Sequence, residues 1–229
     1  MLRGKGLLRP LQRHFLDLWA SLPEQASFYL TGGTALAEFY LGHRLSFDLD
    51  FFTAEEPLIV PLSRKLESVA SRYELAVSVV RRFTSYVELV FTGKEDSLRV
   101  ELALDSPYRL ASPLLSEYGV WVNNWLDLAV DKVLAYYGRA EPRDAVDLHF
   151  IFQREPVQKL LELAAQKDPG FDLYWFAVAL HRITEAPDQA EAWPVQMLLP
   201  FDPLEVKRSF QDLALRLMMQ IATDKNDTQ

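Results

Sequence analysis

Two aspartates separated by one residue, Asp48 and Asp50, are the side chains in this sequence best placed to do chemistry. The alternation from Phe47 to Phe52 predicts a β-strand, so both carboxylates project from one face while Leu49 points into the core. Two carboxylates held this close repel each other unless a cation lies between them. Such oxygen ligands favour Mg²⁺ or Mn²⁺, which also coordinate phosphates. Taken alone, however, the pattern is more often an exposed strand face with two solvated aspartates.

A phosphate-binding turn is predicted just upstream of the aspartates. A short strand ending at Leu30 leads into Gly32 and Gly33, and a helix is predicted from Thr34 to Leu41. Backbone N–H groups in such a turn, together with a helix N-terminus, favour phosphate oxygens. A Cβ would block the close approach of the phosphate. This order of elements therefore predicts phosphate groups held beside a metal pair.

A third carboxylate, which a two-metal site would use, is expected from a neighbouring strand. In the predicted strand from Leu98 to Leu104, Glu101 lies on the face opposite the apolar residues, as does Asp105 at the strand end. Glu101 is the first choice because it lies in the middle of the strand, and Asp105 is the second. The alternative for Glu101 is an ion pair with Arg99 or another surface cation.

The elements that must position these residues fall into two parts. Up to about residue 123 the pattern predicts helices mixed with strands, the strands covering residues 28–30, 47–52, 75–80, 86–91, 98–104 and 119–122. From residue 125 onward it predicts helices alone, over about 126–137, 142–152, 157–167, 171–183 and 203–222. We therefore predict an α+β (mixed α/β) fold, with a mixed sheet flanked by helices in residues 1–123 and a helical region in residues 124–229.

Composition restricts the class of protein. The 229 residues are 49% hydrophobic and 24% charged, which is typical of a soluble globular protein. No apolar run approaches the roughly 20 residues that cross a bilayer, so no membrane contact is expected. The sequence has no cysteine, which excludes disulfides and thiolate metal sites and is compatible with the expected cytoplasmic location. With a net charge of −8, RNA binding would need a local basic patch.

Two blocks carry a family resemblance. The run from Leu30 to Ala37 (LTGGTALA), continued from Tyr40 to Phe52 (YLGHRLSFDLDFF), resembles the first motif of the AbiEii/AbiGii toxin family. The block from Lys132 to Leu148 (KVLAYYGRAEPRDAVDL) is similar to the later motif of that family. These proteins are nucleotidyltransferase-like members of the DNA polymerase β superfamily. The resemblance implies a nucleotidyltransferase fold, Mg²⁺-dependent use of NTPs and, in some members, modification of tRNA as a toxin paired with an antitoxin.

Carried over position by position, the resemblance assigns Gly32, Gly33, Asp48 and Asp50 to the first motif. Glu101 occupies the third-carboxylate position, where the family more usually has Asp. In the later motif the resemblance implies a triphosphate-binding role for Lys132 and a structural or orienting role for Asp144. From the residues alone, Lys132 is equally well explained as a lysine whose stem covers apolar surface. The remaining candidates are Thr34 and Arg44 for nucleotide binding, and Ser46, Asp105 and Arg139 as secondary site residues.

The sequence thus predicts a metal-dependent nucleotidyltransferase that moves an NMP from an NTP to an acceptor such as tRNA or another RNA. Asp48 and Asp50 would hold the metals, Glu101 would position or deprotonate the acceptor, and the glycines with Lys132 would hold the triphosphate. The RNA acceptor, the toxin role and a cognate antitoxin rest on the resemblance alone. Two alternatives stay open: a catalytically weak nucleotide-binding or partner-binding module of the same fold, and a metal-dependent phosphohydrolase.

Overall fold

Within residues 1–227, the part of the chain that this computed structural model describes, a seven-stranded mixed sheet and eight α-helices form a mixed α/β fold. The predicted fold class is confirmed. The strands are β1 (Tyr29–Thr31), β2 (Leu49–Thr53), β3 (Ala76–Arg82), β4 (Tyr86–Thr92), β5 (Ser97–Leu104), β6 (Leu114–Leu115) and β7 (Trp121–Val122). The helices are α1 (Pro10–Ala20), α2 (Gly32–Ala35), α3 (Glu56–Ala70), α4 (Trp125–Arg139), α5 (Pro142–Phe152), α6 (Val157–Lys167), α7 (Leu173–His181) and α8 (Pro203–Asp227).

The chain divides into two compact units. The sheet unit comprises residues 1–128 and contains the whole sheet with α1, α2 and α3. The helical unit begins at residue 129 and contains α5 to α8, and the division falls within α4. None of the described helices is long and apolar enough to span a membrane.

The strand order places the predicted site residues at the centre of the sheet, because β3, β4, β5, β2, β1, β7 and β6 follow one another across it. Strand β2 runs parallel to β5 and antiparallel to β1. In this register Asp50 lies beside Glu101 on one side and beside Thr31 on the other. Strands β4 and β5 form the predicted hairpin, closed by a hydrogen bond from the Gly93 N–H to the Asp96 carbonyl oxygen at 2.9 Å.

Alternation along the central strands separates an apolar face from a polar one. Leu49 and Phe51 of β2 are fully buried, and the Phe51 ring stacks on that of Trp19 in α1 with 3.7 Å between ring centroids. Val100 and Leu102 of β5 are buried on the same side. Each such side chain contributes roughly 1.5–3 kcal/mol by leaving water. Because successive side chains alternate, the carboxylates of β2 and β5 must project from the opposite face.

The helical turn after β1 differs in detail from the prediction. It begins at Gly32, two residues before the predicted start, and after α2 it continues as a π-helix over Leu36–Leu41, which ends at Gly42. Apolar periodicity over so few residues does not distinguish the wider π turn from an α turn. The two-residue strand β6 was not predicted either, because it is too short to show an alternating pattern.

Candidate active site

Four carboxylates share the polar face of the sheet, and we call this group the acid face: Asp48, Asp50, Glu88 and Glu101. The register places Glu101 of β5 between Asp50 of β2 and Glu88 of β4. Asp48, which the predicted strand includes, lies one residue before β2, and Arg99 contacts both Asp48 and Glu101 on this face. Like charges directly opposite one another on a sheet are destabilising, so this row of acids needs cations nearby.

Arg99 supplies one such cation. It lies two residues before Glu101 on β5, and its guanidinium contacts Asp48 at 2.5 Å (Nη2 to Oδ2) and Glu101 at 3.5 Å (Nη1 to Oε1). The hydrogen bond with Asp48 raises the pKa of Arg99, burial opposes that rise, and the charges of the neighbouring acids add to it. Arg99 is thus held in its charged form, and the ion pair considered as the alternative for Glu101 is present in the structure.

The glycine turn lies directly against the acid face. Gly32 has a φ of +70°, and a Cβ added there would overlap the Asp50 carboxylate. A Cβ on Gly33 would lie 2.7 Å from Arg44 Nη2 and 2.9 Å from Ser46 Oγ. The turn therefore brings its backbone close to the Asp50 carboxylate and to the side chains of Arg44 and Ser46.

The predicted residue Thr34 joins this turn to the start of β2. Its hydroxyl donates a hydrogen bond of 2.5 Å to the carbonyl oxygen of Asp48. Arg44 is buried and donates to the carbonyl oxygen of Leu45 at 3.0 Å. The structure thus brings together, within the sheet unit, all the candidates of the first motif: Gly32, Gly33, Thr34, Arg44, Ser46, Asp48 and Asp50.

Two residues of β4 that the sequence reasoning missed belong to the same face. Glu88 is 9% exposed and pairs with Arg81, with 3.6 Å between Nε and Oε2. The Tyr86 hydroxyl donates to Glu88 Oε2 at 3.4 Å. Burial raises the pKa of Tyr86, and the charges of Glu101 and Glu88 raise it further, so the phenol remains a hydrogen-bond donor. The hairpin register, combined with the alternation in Tyr86–Thr92, is the signal that could have placed both residues here.

Asp105, the second choice for a third carboxylate, is held in a separate network at the end of β5. It accepts a hydrogen bond from the hydroxyl of Tyr29 and pairs with Arg109 at 3.5 Å. The Arg109 guanidinium lies 4.0 Å from the Tyr29 ring centroid and donates to Asn123. Sequence reasoning missed this network because its members lie on separate elements with no shared periodicity.

The candidates of the later motif, Lys132, Arg139 and Asp144, form a charge cluster with Asp147 in the helical unit. The cluster is buried except for Arg139, whose side chain is 45% exposed. Lys132 Nζ lies 3.0 Å from Asp144 Oδ1 and 2.7 Å from Asp147 Oδ2, and both aspartate side chains are fully buried. Arg139 donates two hydrogen bonds to Asp144, of 2.7 and 3.0 Å. Burial raises the pKa of Asp144, but the hydrogen bonds and charges of Arg139 and Lys132 outweigh it and lower that pKa overall. The triphosphate contact expected of Lys132 stays a prediction.

Comparison with known proteins identifies the family. A family model described as "Nucleotidyl transferase AbiEii toxin, Type IV TA system" matches residues 14–214, which is most of the chain. The chain belongs to the AbiEii nucleotidyltransferase toxin family. The predicted family is thereby confirmed, and membership supports a nucleotidyl transferase of a toxin–antitoxin family.

Several known proteins are similar to this AbiEii-family chain over much of its length. An uncharacterized protein of Aquifex aeolicus (strain VF5) is 29% identical over 176 residues, which cover 72% of this chain and 78% of that protein. Among solved structures, MenT4, the nucleotidyltransferase toxin Rv2826c of Mycobacterium tuberculosis H37Rv, gives a TM-score of 0.63 at 18% identity. That match covers 91% of this chain and 82% of MenT4. JHP933 of Helicobacter pylori gives a TM-score of 0.58 at 18% identity, and the match covers 95% of this chain and 93% of JHP933. Both structures support the fold.

The residues on the acid face fit a divalent cation by their chemistry. Asp50 and Glu101 offer carboxylate oxygens from adjacent positions on parallel strands, and these are ligands that Mg²⁺ and Mn²⁺ prefer. The lack of a Cβ at Gly32 lets the Asp50 carboxylate lie directly against the turn, in the place that a Cβ would overlap. Among the described residues, no three acidic or histidine side chains are close enough to hold a metal ion together, and Asp48 contacts Arg99 instead. A metal site that includes Asp48 therefore requires side-chain movement, because Arg99 holds that carboxylate.

Replacing Gly32 by alanine is expected to damage the AbiEii-family site in two ways. The backbone conformation costs a residue with a Cβ about 1–2 kcal/mol, and the new methyl group would also push Asp50 aside. Gly6 is a matched control because its φ is +78° and a Cβ there would meet nothing within 4 Å. We expect Gly32→Ala and Gly6→Ala to lower the melting temperature, and Gly32→Ala alone to reduce nucleotide transfer. Equal transfer rates in the two variants would contradict the proximity argument.

Proposed function

We propose that this AbiEii-family protein is a metal-dependent transferase that moves an NMP from an NTP to a hydroxyl of an RNA acceptor. The observation that carries the proposal is the register of β2 on β5, which sets Asp50 beside Glu101 and next to the glycine turn. A carboxylate pair gives ligands for a cation, and a turn without side chains gives backbone N–H groups for phosphate oxygens. Neither the carboxylate pair alone nor the glycine turn alone would favour nucleotide transfer over a structural role.

In the proposed reaction, the acceptor oxygen attacks the α-phosphorus of the NTP and the bond to pyrophosphate breaks. Asp48, Asp50 and Glu101 offer carboxylate oxygens to the cation, and Glu101 also positions or deprotonates the acceptor hydroxyl. Bound Mg²⁺ or Mn²⁺ supplies charge for the phosphate oxygens. The turn at Gly32 and Gly33, with Thr34 and Arg44, orients the phosphates.

Further roles are proposed for residues outside the acid face. We propose that Lys132 contacts the triphosphate, that Asp144 orients Lys132, and that Ser46, Asp105 and Arg139 are secondary site residues.

The acceptor and the partner are also proposed rather than read from the fold. Membership of a family described as toxins of a toxin–antitoxin system supports a cognate antitoxin protein as partner. MenT4 is described as a nucleotidyltransferase toxin, and its similarity in fold is compatible with the same reaction class. We propose tRNA or another RNA as acceptor and the cytoplasm as the place of action. With a net charge of −8, binding of RNA must rely on local cations.

A direct assay tests this proposal. The purified protein is incubated with total RNA and each of the four NTPs in turn, labelled at the α-phosphate, with Mg²⁺ or Mn²⁺. We expect one or more RNA species to gain label, and EDTA to prevent it. Label at the γ-phosphate should appear in pyrophosphate and not in RNA. Release of inorganic phosphate without an acceptor would favour a phosphohydrolase, and nucleotide binding without any product would favour a binding module.

A further inference from the structure

On the acid face, Arg99 contacts the carboxylate of Asp48. Because Leu49 lies beside Val100 in the register of β2 on β5, Asp48 lies beside Arg99 as the two strands begin to pair. The 2.5 Å contact between Arg99 Nη2 and Asp48 Oδ2 is a charge-assisted hydrogen bond at the short end of the usual range. One of the carboxylates expected to hold a metal is therefore already bound to a cation.

A divalent cation and the Arg99 guanidinium would compete for the Asp48 carboxylate. Mg²⁺ takes carboxylate oxygens at about 2.0–2.1 Å and demands near-octahedral geometry. A guanidinium held on the same carboxylate would lie within a few ångströms of the metal, and the two positive charges would repel. Binding of a metal at Asp48 therefore favours the departure of Arg99 from that carboxylate.

We propose that Arg99 is an internal counter-ion, which holds Asp48 in the metal-free protein and releases it when the metal binds. The inference rests on the metal site of the proposed function. Without a metal, Arg99 offsets the repulsion within the row of Glu88, Glu101 and Asp50. With a metal, the same charge is no longer needed at Asp48, and the cation takes over the neutralising role.

The solvent exposure of this ion pair allows Arg99 to leave Asp48. Its side chain is 40% exposed and that of Asp48 is 33% exposed, so solvent reaches both partners and separating them leaves neither charge dehydrated. The Lys132 cluster is the opposite case, since the side chains of Asp144 and Asp147 are fully buried and could not lose their cation so easily. Arg99 is a releasable counter-ion, whereas Lys132 is a fixed one.

The inference is tested by measuring the affinity for metal in the absence of nucleotide. Mn²⁺ binding to the full chain is followed by calorimetry in the wild type, Arg99→Gln, Arg82→Gln and Asp48→Asn. We expect Arg99→Gln to bind Mn²⁺ about two- to five-fold more tightly, in keeping with the modest strength of a part-exposed ion pair. Arg82→Gln is the matched control, because it removes the comparable Arg82–Glu67 pair away from the acid face. It should bind Mn²⁺ as the wild type does.

The outcomes separate the inference from the proposed function. If Asp48→Asn loses Mn²⁺ binding while Arg99→Gln matches the wild type, the metal site stands and the counter-ion role is wrong. If the wild type, Arg99→Gln and Asp48→Asn all bind alike, or none binds, the metal assignment fails and the inference fails with it. Tighter binding in Arg99→Gln alone, lost again in the double variant with Asp48→Asn, supports both.

A spectroscopic measurement distinguishes release from a general effect of charge. In protein labelled with ¹⁵N-arginine, the Nε–H signal of Arg99 is assigned by its absence in Arg99→Lys. Titration with Mg²⁺, which is diamagnetic, should move this signal toward the position of a solvated arginine, while the Arg82 signal stays in place. An Arg99 signal that does not move at saturating Mg²⁺ would overturn the inference.

Discussion

Asp48→Ala is expected to lose nucleotide transfer by about 10²–10³-fold or more, the scale of losing one preorganised electrostatic contact to the transition state. Asp48 lies one residue before β2, where the Thr34 hydroxyl donates to its carbonyl oxygen and Arg99 contacts its carboxylate. The substitution removes an oxygen ligand from the proposed metal site while leaving the backbone in place. The initial rate of α-phosphate label entering RNA, compared with the wild type, measures the effect.

Loss of folding is not expected to explain that result. The ion pair between Asp48 and Arg99 is part-exposed, so its removal costs no more than about 1 kcal/mol. Asp96→Ala is a matched control, because Asp96 is also a part-exposed aspartate paired with an arginine, in the turn between β4 and β5. It should keep the wild-type rate. Undiminished transfer by Asp48→Ala, in an assay where the wild type is active, would rule out the proposed role.

Local patterns predicted most of the elements because each pattern is carried within the element itself. The helices α5 and α6 were predicted at their observed bounds, where a proline at or near the first turn and a clear apolar stripe coincide. The strand pattern likewise predicted which face of β2 and β5 is buried, since alternation needs no knowledge of partners. Conversely, β6 and the π-helix were missed because neither is long enough to show a period.

Contacts between elements limited what could be predicted about the candidate site. Glu101 was chosen from alternation within its own strand, and the register then placed it beside Asp50. Glu88 was missed because its place depends on the pairing of β4 with β5, which alternation in one strand does not specify. The same limit applies to Arg99: the sequence offered it as a partner of Glu101, but its shorter contact is with Asp48 across the strands.

Lys132→Met is expected to lower the free energy of unfolding by about 3–5 kcal/mol, the usual cost of removing one partner from a buried ion pair. Lys132 lies between Asp144 and Asp147, whose side chains are fully buried, and a methionine fills similar space without the charge. Urea unfolding followed by circular dichroism measures the loss. Lys159→Met is the control, because Lys159 is 48% exposed near the start of α6 and pairs with Glu155 just before that helix. Its loss should cost less than about 1 kcal/mol.

The pH dependence of this loss follows from the direction of the pKa shift. Burial raises the pKa of Asp144, but the hydrogen bonds and charges of Arg139 and Lys132 outweigh it and lower that pKa overall. A carboxylate with a lowered folded-state pKa stabilises the fold above its ordinary pKa, about 3.9, and this contribution is lost as the pH falls toward the folded value. The gap between wild type and Lys132→Met should therefore be full near pH 7 and shrink below about pH 4. A gap that stays constant down to pH 3 would contradict the charge-based explanation.

These measurements also determine how the proposed triphosphate role of Lys132 can be tested. Loss of transfer in Lys132→Met has two possible causes, a missing phosphate contact and a weakened helical unit. The variant Lys132→Met with Asp147→Asn removes one buried negative charge together with the positive one, so part of the stability should return. If transfer returns in step with stability, Lys132 acts by holding the buried cluster together. If stability returns while the KM for NTP stays raised, its charge is needed by the nucleotide itself.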